Sequence, residues 1–154
     1  LIPSLLTYVL SFIYLGIYWN NHHHLFQAAS KVNGKVLWAN LHLLFWLSLV
    51  PFVTGWMGDN GLSPLPVALY GAVMLLAAVA YFILARALVS LHGSDSRLAA
   101  SLGSDTKGKL SLVLYAASIP LAFLHAAISI AIFVMVALLW LLPDRRIEKN
   151  LASG

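Results

Sequence analysis

The chain has 154 residues, of which 61% are hydrophobic and 9% charged, with a net charge of +4 and no cysteine. A soluble domain is about 45–50% apolar and about 25% charged. A fold of this size cannot hide so much apolar surface, so a water-soluble domain and a disordered chain are both excluded and an integral membrane protein is implied. The nine basic residues never run longer than Arg145-Arg146, which excludes a nucleic-acid surface, and the lack of cysteine excludes disulfides and Cys-based zinc or redox chemistry.

A spanning helix takes about 20 apolar residues. The first apolar stretch covers residues 1–19. It begins at Leu1 with no charged segment before it and no small-residue cleavage site after it. It therefore reads as a span rather than a signal peptide, with a further helix expected upstream. The second stretch covers 36–57, where Pro51 is expected to kink the helix. The third covers 65–91, with Arg86 near its end, free to snorkel to the interface. A polar loop from His92 to Lys109 follows, with a turn of helix expected around 97–102. The last apolar run carries no charge from 110 to 142. As one straight helix it would reach about 50 Å, too long for one crossing.

Charge divides that run. Lys31 and Lys35 follow the first span, Arg97, Lys107 and Lys109 follow the third, and Arg145, Arg146 and Lys149 lie in the tail. The short loop at 58–64 holds Asp59 and no base. If the last run is a hairpin, with spans 109–124 and 127–142, all the bases fall on one side, which is the cytoplasmic one. The expected fold is thus an all-α, polytopic membrane helix bundle, a single domain over 1–154 with five visible spans. Its C-terminus is cytoplasmic.

Within the spans, Ser4, Thr7, Ser11, Tyr14 and Tyr18 are spaced 3, 4, 3 and 4 apart and share one helical face. That face suits helix packing, or polar groups on a further helix, or a water-filled path. His22, His23 and His24 are adjacent, point about 100° apart on a helix, and cannot converge on one metal ion there. Asn40 needs a partner on another helix. His42 and His125 are not placed as a haem pair, because the topology sets them near opposite faces. No carboxylate lies mid-span, as a proton-coupled pump requires. No nucleophile–base constellation or phosphate loop is visible either. A passive path and a non-conducting scaffold or interaction protein both remain open.

Three segments carry a family resemblance: Tyr8–Phe12 running into Gly16–His23, Leu37–Leu41 running into Ser48–Thr54, and Leu139–Glu148. Together they resemble the bacterial members of the transmembrane protein 175 family, most specifically in the Trp19-x-Asn21-His22-His23 element. The resemblance implies a passive, potassium-permeable leak channel of the plasma membrane, not an enzyme. It implies a homotetramer in the lipid bilayer, with potassium as the permeant ion, no cofactor and no nucleic-acid partner. It also implies six spans in an intact member. The family's first, pore-lining helix has no counterpart in residues 1–154. The resemblance assigns Trp19, Asn21, His22 and His23, with Asn40, to a network that supports that helix, and the stripe Ser4–Tyr18 is a candidate second face toward it.

Overall fold

The computed structural model describes residues 2–94, 96–102 and 105–141. For residues 2–4, 6, 7, 97 and 101 it describes the backbone alone. The chain forms α1 (Ile2–Gln27), α2 (Gly34–Asp59), α3 (Pro64–His92), the short α4 (Arg97–Leu102), α5 (Thr106–Leu124) and α6 (Ala126–Leu141).

Local chemistry sets the boundaries. α1 continues well past residue 19 and carries all three consecutive histidines in helix. Asn33 caps α2, its side-chain oxygen accepting from the Val36 N–H at 3.1 Å. α2 continues through Pro51, and the Thr54 hydroxyl donates to the Val50 carbonyl at 2.6 Å. The turn into α3 uses Gly61 and Leu62 in left-handed backbone, φ +60° and +61°. Glycine adopts that geometry freely, and Leu62 is held there by donating its N–H to the Met57 carbonyl at 3.1 Å. Pro64 then opens α3 at a position where its missing N–H costs nothing.

The long final run is two helices. Pro120 lies inside α5, and the break falls at His125, whose backbone is extended. Antiparallel pairing is fixed by side chains. Trp140 Nε1 donates to Ser111 Oγ at 2.9 Å, and Ser129 Oγ donates to the Ser118 carbonyl at 2.7 Å. The C-terminal end of α6 therefore returns to the end of the bundle where α1 finishes, α2 begins, α3 finishes and α5 begins. Lys31, Lys35, Lys107 and Lys109 gather at that same end, and Asp59 lies at the other. The turn expected at 97–102 is α4, anchored by buried Leu98.

By length and hydropathy α2, α3 and α5 can each cross a membrane, and α6 is a shorter apolar helix of 16 residues. α3 is the central pillar, packed against α2 on one side and α5 and α6 on the other. Its small residues allow the close approach. A Cβ built on Gly71 would stand 2.6 Å from Ser118 Oγ, 3.4 Å from Phe133 and 3.5 Å from Ile119. Around that contact Tyr70 packs on Tyr14 and Phe133, with ring centroids 6.0 and 4.7 Å apart. A second cluster joins Leu25, Val36, Leu43, Leu84, Leu88 and Leu98 near the basic end. Many large apolar side chains face outward, Phe12, Trp38 and Phe52 among them. Lipid tails are as apolar as these side chains, so a bilayer accepts such a surface.

Candidate functional site

The polar end of α1 sorts its side chains by direction. His22 faces α2, where its Nε2–H donates to Asn40 Oδ1 at 2.6 Å, an amide oxygen being only an acceptor. Its ring also lies on Phe26, with centroids 4.7 Å apart. Trp19 and His23, one turn apart, stack face to face with centroids 5.1 Å apart and ring planes 12° apart. They form an aromatic plate on the outside of the bundle, where Trp19 is 63% exposed. Asn21 turns the other way. Its side chain donates to the Ile17 carbonyl at 2.8 Å, and its own carbonyl accepts from the Tyr81 hydroxyl at 3.3 Å. Of the residues assigned to one network, the structure joins His22 to Asn40 and Trp19 to His23. It places Asn21 on a separate face.

The stripe of small and tyrosyl residues is turned inward. Ser11 and Tyr14 are buried, and the Tyr14 hydroxyl donates to the Phe133 carbonyl of α6 at 2.5 Å. Tyr18 meets Tyr81 of α3 edge to face at 6.4 Å. For Tyr14 and Tyr18 the packing reading of this face has its partners within the chain: the Tyr70 and Tyr81 rings of α3 and the Phe133 carbonyl of α6. The side chains of Ser4 and Thr7 lie outside the described residues.

The other histidines have local tasks. His42 Nε2 accepts from Trp46 Nε1 at 2.9 Å, and His125 stands exposed at the end of α5. Among the described residues no three His, Asp or Glu side chains are grouped to hold a metal ion.

Two features escaped the sequence reading. His92 accepts at Nε2 from the Ser30 and Lys31 N–H groups, at 3.0 and 3.1 Å. Its Nδ1 donates to the Leu88 carbonyl at 2.8 Å. One neutral imidazole thus ties the α1–α2 loop to the end of α3. No sequence signal shows this, since the partners are 61 and 62 residues away. The second feature is Asp105, which caps α5 from left-handed backbone, Oδ1 accepting the Gly108 N–H at 3.1 Å. The spacing Asp-x-x-Gly ahead of an apolar run is a capping signal that was legible. Gly108 leaves room for this cap: an added Cβ would stand 2.4 Å from the Asp105 carboxylate, which would have to shift.

Burial pushes the Asp105 carboxyl above the usual carboxylate range, against the opposing pull of the Gly108 N–H and the Lys109 charge. A raised acid supports folding in its protonated form. Its contribution is full below the ordinary carboxylate pKa and is lost as pH rises through the raised one. Asp105→Asn keeps an acceptor for Gly108 and has no proton to lose. Its thermal stability relative to wild type is expected to grow as pH rises through the acid range and then to level off. Asp105→Ala, which removes the cap, is expected to cost about 1 kcal/mol. Melting curves from about pH 2 to about pH 8, which start about two units below the ordinary carboxylate value and pass well above it, check both.

Comparison with known proteins completes the site's description. The family described as "Endosomal/lysosomal potassium channel TMEM175" matches residues 1–51, which span α1, the His22–Asn40 bridge and the first part of α2. A potassium channel of Chryseobacterium sp. (strain P1-3) is 48% identical over 154 residues, covering 100% of this chain and 80% of the relative. A potassium channel of Streptomyces collinus (strain DSM 40733 / Tue 365) is 30% identical over 143 residues, covering 88% of this chain and 69% of the relative. No solved structure gives a significant match. With 48% identity over an alignment that covers the whole of this chain, the chain belongs to the TMEM175 family.

Proposed function

We propose that the chain is a subunit of a potassium-permeable channel that conducts passively, down the electrochemical gradient. The observation that carries this reading is the 48% identity, over the whole of this chain, with a relative named as a potassium channel. The chemistry of the bundle is compatible with it. α6 carries no Asp, Glu, Lys or Arg, and those of α2, α3 and α5 are confined to their last or first turns or, for Arg86, to the basic end of α3. A passive path needs no buried proton relay. Family membership and apolar helices make this a multi-pass membrane protein.

Finer points belong to the same reading. The channel assembles as a homotetramer in the plasma membrane, with its basic end cytoplasmic, as the Lys and Arg bias implies. The Trp19–His23 plate and the His22–Asn40 bridge support the elements that line the path. A voltage ramp across a planar bilayer containing the purified protein, with potassium on one side and sodium on the other, tests it. The expected result is a reversal potential displaced toward that of potassium. Folded, inserted protein that passes no current would favour the scaffold reading instead.

A further inference from the structure

His92 joins two parts of the fold by accepting hydrogen bonds rather than by donating them. It stands half-buried in the last turn of α3. Its Nδ1 lies 2.8 Å from the Leu88 carbonyl, which can only accept, so Nδ1 carries the ring hydrogen. Its Nε2 lies 3.0 and 3.1 Å from the Ser30 and Lys31 N–H groups, which can only donate, so Nε2 is bare. The ring is therefore neutral. The two amides belong to the short connection between helices. On one side of it, Ala28 and Ala29 close the end of α1 with bonds to His24 and Phe26, and on the other Asn33 caps α2.

We propose that His92 is an acid-released latch: a proton taken up at Nε2 lets the α1–α2 loop off the end of α3. An imidazolium has two N–H groups and no acceptor, so both loop amides lose their partner at once. The Leu88 bond survives, because Nδ1 donates in either state. The charged and titratable groups gathered at this end are His24 at the end of α1, Lys31 in the loop, Lys35 in the first turn of α2, Arg86 on α3, and Lys107 and Lys109 on α5, with Asp105 the acid described there. Asp95 and the side chain of Arg97 lie outside the described residues. A positive His92 joins a basic set, and Lys31 is part of the loop being released, so like charge favours the parting. Other histidines respond differently. His22 already donates from Nε2 to Asn40, and an imidazolium still can. His42 accepts, but from Trp46 of its own helix, so losing that bond separates no two elements. The proposal does not depend on whether the protein conducts.

The test is amide hydrogen exchange of the full chain in nanodiscs at about pH 7.5 and about pH 5.5, one unit either side of the ordinary histidine value of about 6.5. Each rate is divided by its intrinsic value at that pH. Between the two, the neutral share of an ordinary histidine falls from about nine-tenths to about one-tenth, so protection of the Ser30 and Lys31 amides is expected to fall about tenfold. Protection of the α3 amides around Met74 is expected to hold. His92→Gln puts near the Nε2 position an acceptor oxygen that takes up no proton, and its loop protection is expected to be the same at both pH values. Equal loop protection at both pH values in wild type would overturn the proposal, and that measurement needs no variant. An undiminished acid effect in folded His92→Gln would overturn it too, as would an acid loss of protection that runs equally through α3.

Discussion

Gly71→Ala lowers the stability of the bundle, and Gly71→Leu prevents α3 from seating against the α5–α6 hairpin. The added methyl of alanine would stand 2.6 Å from Ser118 Oγ. Moving that oxygen aside breaks its bond to the Tyr115 carbonyl, made at 2.7 Å. Behind it, the Ser118 carbonyl holds Ser129 of α6. Over-packing at such a site costs about 1–3 kcal/mol. Alanine recovers about 1 kcal/mol of helix propensity relative to glycine, so the net effect is smaller but unfavourable. Ser118→Ala removes the clashing oxygen, and the double variant Gly71→Ala/Ser118→Ala is expected to regain most of the loss. A double-mutant cycle on thermal unfolding midpoints measures this coupling. An equally destabilised double variant would place the cost elsewhere.

The second large effect is at the α1–α2 bridge. His22→Ala leaves the half-buried Asn40 oxygen without its donor, a loss of about 1–3 kcal/mol. Asn40→Ala strands the imidazole in the same way. Removing both partners is expected to cost less than the sum of the single losses, because no group is then left unsatisfied. His23→Ala is the informative contrast. His23 is exposed and its ring contacts are with its own helix neighbours, so its stability change stays within about 0.5 kcal/mol. Potassium current that falls in His23→Ala at unchanged stability would tie the Trp19–His23 plate to conduction. Current and assembly that are unchanged in both His22→Ala and His23→Ala would separate this end of α1 from the path.

Composition and charge position made the bundle legible before any coordinates. The hairpin of α5 and α6 was read from where Arg145, Arg146 and Lys149 had to lie, because loop charge orients a membrane helix more reliably than length does. α5 passes through Pro120 and ends at His125, in the gap between the expected spans 109–124 and 127–142. The His22–Asn40 pair was foreseeable in kind, since each group needs a partner in an apolar medium. Which partner each would take was not foreseeable. The stripe through Ser11, Tyr14 and Tyr18 shows the limit of helical spacing. Spacing places residues on one face but does not say what that face meets; here Tyr14 meets α3 and α6, and Tyr18 meets α3. His92 lay further out of reach, since its two donors come from a loop 61 and 62 residues away. Asp105 was missed for another reason: as the N-cap of α5 it reads as ordinary, and its half-burial appears only in three dimensions.

The central claim, that this bundle belongs to a potassium-conducting channel, is tested most directly by ion flux from liposomes containing the purified protein. With potassium trapped inside and a proton-coupled dye reporting its exit, the account predicts dissipation of the potassium gradient. It predicts slower loss when sodium replaces potassium. Folded protein in sealed liposomes that hold both gradients as long as empty ones do would contradict it.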